Sequence, residues 1–547
     1  MNDEDFLADV RKKYERAVDA SSDNHDAWRD DVRFAKLLEQ WPEEIKRDRE
    51  ADGRPCLVVP RLQAFIRQVV NEARQNRPAI TVVPADSGAD VETAEIMSGL
   101  IRNIEVSSDA DVAYDTAADC AVSGGFGYFR INTDYTSDDT FDQDIVIERI
   151  ADPLTVLPDP DGESADGSDW NCCFISNTML KDDFEAQYKG ADAVDWDDLG
   201  YSKLDAPWYD DEHVLVAEYW HREDVESQIV AMSDGSVLKA DDPSIEMLAQ
   251  FGVVPVGEPR TVKSKKVTQY ILSGAEVLET VEWPGKYIPI IPVYGDEVVC
   301  EGKRTFKSLI RDAKDAQREH NYWRSMAAET IALAPKVPFI GPEGAFDSDV
   351  EKWSTANDSS HAFITYKGQV PPQRQGYAGP SAGELQQAIA AIDDMKAIMG
   401  IYDASLGQRS NETSGVAIRQ RQRQGDVATY HFLDNLSRSI RQAGRILLDL
   451  IPKVYNTPRV VRVLGEDMEP QNAQVGGQEQ EAPQQEGQEI QRIYDLGAGK
   501  YDLVVKAGPS FGTQRRDNSY LFESTKIPVL YFWSKTIDFD YNTHRKL

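Results

Sequence analysis

Cysteine is scarce in this chain: five occur in 547 residues, at positions 56, 120, 172, 173 and 300. None belongs to a CxxC pair, and the adjacent Cys172 and Cys173 make a poor disulfide framework, so the composition points to a reducing compartment. Histidine is equally sparse, with seven residues and no HxxxH pair. No HExxH helix and no GxSxG elbow occurs, which leaves no metal site and no local catalytic motif in view. There is no run of 18 apolar residues, and the opening "MNDEDFLADVRKKYERAVDA" is charged from its second residue on. A spanning helix and a standard secretory leader are therefore not expected, nor is any contact with a membrane. Basic charge is the remaining deficit. Fifty-nine Lys and Arg face 94 Asp and Glu, a net of −35, and the pI is about 4.6. A protein that coats nucleic acid or anionic lipid needs the opposite balance, so any DNA it meets is held loosely.

What is present is ample apolar residue content for two to four structural units. Residues 1–50 read as amphipathic helix. A second helix is expected over 55–78, with Leu62, Phe65, Ile66, Val69, Val70 and Ala73 on one stripe. A third, over 89–122, closes at a Ser-Gly-Gly. The period then changes to two in "GYFRINTDY" and "DIVIERI", followed by the loop "DPLTVLPDPDGESADGSD". From about 212 the pattern stays mostly β, with a short helical piece at 243–251 and a small β-rich insert ending near 300. A long helix follows over 303–334. Two further helices, 381–399 and about 414–451, carry apolar stripes, the first on Leu385, Ile389, Ile392, Met395 and Met399, the second on Leu433, Leu436, Ile440, Ala443 and Leu447. The segment 465–489 is low in complexity and reads as disordered. Helices and strands in separate runs define an α+β class.

Two glycine- or acid-rich runs invite chemistry and decline it. "SGGFGYF" (123–129) lacks the GK[ST] of a phosphate loop and precedes a strand, so its glycines serve a tight helix-to-strand turn. "DPDGESADGSD" spaces its acids like a calcium loop, yet Ser164 stands where the glycine belongs and the closing Glu is missing. Carboxylate dyads leave no local signature, so an acidic carboxylate-dependent hydrolase remains the alternative to a structural or binding role.

Two stretches depart from the acidic background. Residues 253–336 hold thirteen Lys and Arg against eleven Asp and Glu, a net of +2. Residues 401–460 hold nine against five. In the second, "YDASLGQRSNET" (402–413) lies between two rigid helices, with Gln408, Arg409, Ser410 and Asn411 at its polar tip. Arg419 and Arg423, four apart, share a face of the helix that follows, while Arg421 points away. In the first, Arg260, Lys263, Lys265 and Lys266 either meet an acidic partner or blunt an exposed edge strand.

The runs "GRPCLVVPRLQAFIRQVVNEARQNRPAITVVP" (53–84) and "DVAYDTAADCAVSGGFGYFRI" (111–131) resemble the N-terminal wing region of P22-like portal proteins of tailed bacteriophages. "EWPGKYIPIIPVYG" (282–295) and "RDAKDAQREHNYWRSMAAE" (311–329) resemble that family's strand leading into its stem helix. The resemblance spans roughly 30–515 in order. It implies a portal-type subunit of wing, stem, clip and crown that assembles as a ring, typically a dodecamer, at one capsid vertex of the virion. Double-stranded DNA passes through its channel without sequence reading. By order along the chain, 1–242 is expected as wing, 243–252 as a first stem helix, 253–300 as clip and 301–336 as a second stem helix. Residues 337–400 return to the wing, 401–413 form the channel loop and 414–464 the crown helix. Residues 465–489 form a linker, and 490–547 carry no assignment. The implied site residues are Gln408, Arg409, Ser410, Asn411, Arg419 and Arg423 toward DNA or a neighbouring subunit, and Arg260, Lys263, Lys265 and Lys266 toward an adaptor. The implied partners are further copies of the chain, the large terminase subunit, the major capsid protein, a scaffolding protein and head–tail adaptor or tail proteins, met in the host cytoplasm during assembly. No cofactor and no catalysis is implied, since a separate terminase supplies the packaging energy. A capsid-associated scaffold without a channel is the other alternative.

Overall fold

The computed structural model describes residues 3–85, 90–191, 212–233, 237–240, 244–250, 252–333, 338–357, 359–374, 382–401, 415–457, 459–465, 469–475, 493–494, 496 and 500–507. The chain opens with α1 (Asp3–Ala35), α2 (Glu43–Ala51) and α3 (Leu62–Gln75). The single helix expected over 1–50 is thus two, broken where Leu38 takes a left-handed φ of 63° and Pro42 precedes α2. The helix expected over 55–78 begins only at Leu62, because Pro55 and Pro60 favour an extended backbone before it. All six residues of its expected stripe are buried. After β1 (Pro78–Pro84) come α4 (Val91–Ser107) and α5 (Ala110–Gly124). These replace the one helix expected over 89–122, and the break is at Asp109, φ 48°.

Next come β2 (Phe126–Tyr135), β3 (Gln143–Arg149), β4 (Val156–Pro158) and β5 (Cys172–Leu180), then α6 (Lys181–Gln187). The glycines of 123–129 do make a helix-to-strand turn. Gly125 ends α5 at φ 110°, and a Cβ on Gly127 would lie 2.3 Å from the carbonyl oxygen of Ala117, so α5 and β2 approach closely only without a side chain there. The middle of the chain is β6 (His213–Met232), β7 (Val237–Lys239), α7 (Ser244–Gln250), β8 (Pro255–Leu272), β9 (Val277–Trp283), β10 (Ile290–Tyr294), β11 (Asp296–Cys300) and β12 (Lys303–Lys307). The helix expected from 303 therefore starts later, as α8 (Lys314–Leu333), since 303–307 closes a hairpin with β11.

The remainder is β13 (Phe339–Ile340), α9 (Val350–Ser354), β14 (Gln373–Arg374), α10 (Ala382–Met399), α11 (Gly415–Val454), β15 (Arg459–Leu464), β16 (Pro470–Val475), β17 (Ile493–Tyr494) and β18 (Tyr501–Ala507). Residues 470–475, expected as part of a disordered linker, are a strand paired with β15.

Strands β4, β5, β6, β8 and β9 form one sheet with β7 on β6. Because β8 pairs with β6 from Ala217↔Leu272 out to Met232↔Pro255, and β10 pairs with β2, the segment 253–300 is no separate unit. Its strands are shared between two sheets that reach back into 1–242. The main core packs α5, the β10–β2–β3 sheet and α11 together, with Phe126, Tyr128, Phe129, Ile131, Ile290 and Ile291 all buried. A second core joins α3, Phe34, the start of α8 and the end of α10 through Ile310, Ala313, Met395 and Met399. A third sets Leu7, Val10 and Tyr14 of α1 against Phe174 and Tyr219 of the large sheet.

Helix α1 touches all of this. Its first half lies on the large sheet, the Trp28 indole donates to the Phe126 carbonyl, and its last turn holds Asp31, fully buried. That carboxylate accepts from Arg311 Nη2 at 2.8 Å, Arg311 Nε at 3.0 Å and Ser308 Oγ at 2.7 Å, and pairs with Lys314 Nζ at 2.5 Å. Three donors converge on Oδ2 while the Lys314 ammonium faces Oδ1, so the buried carboxylate is paired as well as hydrogen-bonded. Asp31→Asn removes the buried counter-ion of Arg311 and leaves Lys314 only the exposed Asp30, and is expected to lower the unfolding free energy by about 3–5 kcal/mol. Denaturant unfolding of this variant against the parent checks it; a loss under about 1 kcal/mol, the range of an exposed pair, contradicts it.

Candidate channel loop and docking surfaces

Helices α8 and α10 run antiparallel. The start of one meets the end of the other in the second core, and midway the buried His320 places Nδ1 2.9 Å from the Ala388 carbonyl. Of the stripe expected on α10, Met395 and Met399 are buried and Ile392 packs partly, while Leu385 and Ile389 remain exposed. Helix α8 is held from its other side by an extended strap, residues 57–61. The Leu57, Val59 and Arg61 amides donate to Ser325 Oγ, Asn321 Oδ1 and Gln317 Oε1 at 2.9, 3.0 and 3.2 Å. Gln317 returns a bond to the Val59 carbonyl, and Asn321 donates to Gln40. These three side chains are buried. Their spacing of four puts them on one helical face, a polar row that sequence reasoning passed over although the pattern was there to see. Residues 338–374, between the two helices, make hydrogen bonds within their own segment, as from Trp353 Nε1 and Ser348 Oγ to the Thr365 carbonyl. They expose Ile340, Val350, Phe363 and Val370.

Helix α10 ends at Gly400, φ 68°, and Ile401 is buried just beyond. The expected loop follows. Gln408, Arg409, Ser410 and Asn411 lie outside the described residues. Arg419 and Arg423 fall on α11, where the backbone is described and their side chains are not. The far half of α11 is fixed: Leu436, Ile440, Ala443 and Leu447 of its expected stripe are buried, with Leu433 packed beside them. Ser439 Oγ donates to the Pro292 carbonyl, and Asn435 Nδ2 donates to the carbonyls of Tyr294 and Gly295 at 3.0 and 2.9 Å. Residues 402–414, which include the segment expected as the channel loop, lie outside the described residues, between α10 and α11 in the chain.

The four cations expected to dock an adaptor all lie on β8, and the register divides them. Glu223↔Lys266, Asp224↔Lys265 and Glu226↔Lys263 stand directly opposite on β6. Lys265 pairs with Asp224 at 2.5 Å, holding that carboxyl below the usual range, and Lys266 pairs with Glu282 on β9 at 3.2 Å. Arg260 and Lys263 are exposed and in no ion pair among the described residues. The positive stretch seen in sequence is half-cancelled by the acids facing it, which only the strand register reveals.

Enzymatic alternatives find little footing. The acids of 159–169 are used structurally: Asp159 accepts from the amides of Asp161 and Asn171, Asp161 pairs with Arg16 of α1 and Asp166 with Arg445 of α11. Burial pushes the Cys120 and Cys172 thiols up to about 12, away from thiolate reactivity. Among the described residues no group of His, Cys, Asp and Glu is arranged to hold a metal ion, and no helix is long and apolar enough to cross a membrane.

Comparison with known proteins identifies the family: residues 11–522 match the phage P22-like portal protein family, to which this chain belongs. The portal protein of Acyrthosiphon pisum secondary endosymbiont phage 1 is 28% identical over 490 residues, covering 85% of this chain and 66% of that one. The chain thus spans just under two thirds of that relative's length.

His320 carries a pH prediction. Its Nε2 is buried without a partner, and desolvation lowers its pKa, helped by Arg61 and Arg324. A histidine depressed in the folded state contributes stability above the unfolded value that is lost as pH falls through about 6.5. Melting temperature is expected to drop between pH 7.5 and 5.5, and less so in His320→Gln. Equal slopes in both proteins contradict the assignment.

Proposed function

We propose that this chain is the subunit of a homo-oligomeric portal ring, of about twelve copies, through which double-stranded DNA enters and leaves a capsid. The observation that carries the proposal is the family match running over most of the chain. The ring does no chemistry of its own. An acidic wall repels the phosphate backbone so that DNA slides, and contact is confined to polar donors such as Arg409 and Asn411, which touch phosphate without reading bases. Arg419 and Arg423 then form a second basic ring toward DNA or bridge to acids of the neighbouring subunit. The capsid protein, a scaffolding protein, the large terminase subunit and tail adaptors are the proposed partners, in the infected cell's cytoplasm and then the virion.

Two surfaces suit docking. Arg260 and Lys263, in no ion pair among the described residues, suit an acidic partner, with Lys265 and Lys266 beside them on β8. The segment 338–374 offers Ile340, Val350, Phe363 and Val370, which no described residue covers.

Arg409→Ala with Asn411→Ala is expected to leave ring assembly unchanged and to reduce packaged DNA; unchanged packaging removes the loop from the mechanism. In Arg419→Ala with Arg423→Ala, intact rings with lost packaging mean DNA contact, and lost rings mean a subunit bridge. Adaptor binding by purified rings separates the docking surfaces. Arg260→Glu with Lys263→Glu abolishes it if β8 docks the adaptor, Phe363→Asp abolishes it if 338–374 does, and full binding by both variants refutes both.

A further inference from the structure

At the tip of the β2–β3 hairpin, Phe141 is 97% exposed, the most exposed of the large hydrophobic side chains described. The turn that carries it is closed by its own bonds. The Thr136 amide donates to the Asp142 carbonyl at 3.0 Å, the Asp142 amide to Thr140 Oγ1 at 3.1 Å, and Ser137 Oγ to Asp139. The ring is thus held outward by a formed turn, at little further entropic cost to a partner. Around it, residues 134–144 hold five aspartates and no Lys or Arg.

Elsewhere the same chain has a groove of the opposite character, about 820 Å³ in volume, with Trp283 and Pro284 as its apolar part. Lys265, Lys266 and Lys453 line it against Glu226 and Glu282, a net positive lining in a strongly acidic chain. The lysines are 41–42% exposed; Lys265 and Lys266 pair with the exposed Asp224 and Glu282, and Lys453 with the mostly buried Asp449. The two exposed pairs are weak and exchange readily for a better-placed carboxylate.

The two features sit on opposite sides of the end of α11. Lys453 lines the groove, and its partner Asp449 also accepts the Lys286 amide at 2.8 Å. Tyr455, two residues on and so roughly 200° around the helix, faces Asp144 and the Ile145 backbone at the base of the hairpin. Arg459 and Thr457 bind the same hairpin through the Gln143 carbonyl and Asp142. Complementary patches on opposite flanks are what a head-to-tail contact requires, and such contacts close into rings.

We infer that the Phe141 hairpin of one copy of this chain inserts into the Trp283–Lys453 groove of the next, with its aspartates meeting Lys265, Lys266 and Lys453. Lys265 and Lys266 then serve the ring interface, leaving adaptor docking on β8 to Arg260 and Lys263. The inference rests on the ring reading above.

Assembly of the full-length chain against concentration, followed by analytical ultracentrifugation, tests it. Phe141→Asp should raise the concentration for half-assembly about 30-fold or more, the loss of a central aromatic anchor. Lys265→Glu with Lys266→Glu should weaken assembly, as should Asp138→Lys with Asp139→Lys, and combining all four should restore it, because each reversed knob again meets an opposite groove. Phe141→Asp assembling like the parent, or a fourfold variant no better than the weaker double, overturns the inference. So do Phe141→Asp rings that form normally but fail to join capsids, since the knob then faces the capsid. A parent chain that never assembles removes the ring reading and this inference with it; parent rings with a neutral Phe141 remove this inference alone.

Discussion

The buried carboxylate of Asp31 is the constraint around which the rest is arranged. It lies near the end of a 33-residue helix whose first half is pinned to the large sheet, and it gathers Arg311, Lys314 and Ser308 just where the hairpin before α8 gives way to α8 itself. Through it the sheet, the central core and the α8/α10 pair share one frame. The Gln317–Asn321–Ser325 row then fixes α8 against the strap, and the packing of α8 on α10 fixes where the chain leaves α10. The end of α10 at Gly400 thus inherits its position from this sequence of contacts, with a distant aspartate among them.

Charge is handled on two scales. Over the whole chain the excess of acid keeps a polyanion from adhering, an effect that acts within a Debye length of the surface, about 8 Å at physiological salt. At single positions cations are balanced by the facing strands: Lys265 and Lys266 pair with Asp224 and Glu282, and Lys263 stands opposite Glu226 without an ion pair among the described residues. A basic run in sequence is therefore a poor guide to a basic surface when the facing strand is acidic.

Local pattern made much of the fold legible. The stripes of α3 and α11 were readable because each buries one face at three- and four-residue spacing, and β2 and β3 were readable from alternation. The failures have physical causes. Pro60 and Asp109 break helices that periodicity alone continues, and 303–307 reads as helix because its pairing with β11 is a tertiary fact. Residues 470–475 look featureless yet are held by β15. That β8 joins a sheet begun forty residues earlier by β6 was likewise not legible at 253. Of the candidate site, the polar row Gln317–Asn321–Ser325 had a readable spacing of four, but the strap it holds and the Asp31 node depend on contacts between segments distant in sequence.

The central claim is a conduit, and a conduit has a hole. Electron-microscope class averages of the purified full-length chain test it most directly. The account predicts end-on views of a closed ring with a stain-filled centre wide enough for a DNA duplex, about 20 Å, and cyclic symmetry of about twelve. Compact monomers at all protein concentrations, or closed assemblies with a solid centre, would contradict it.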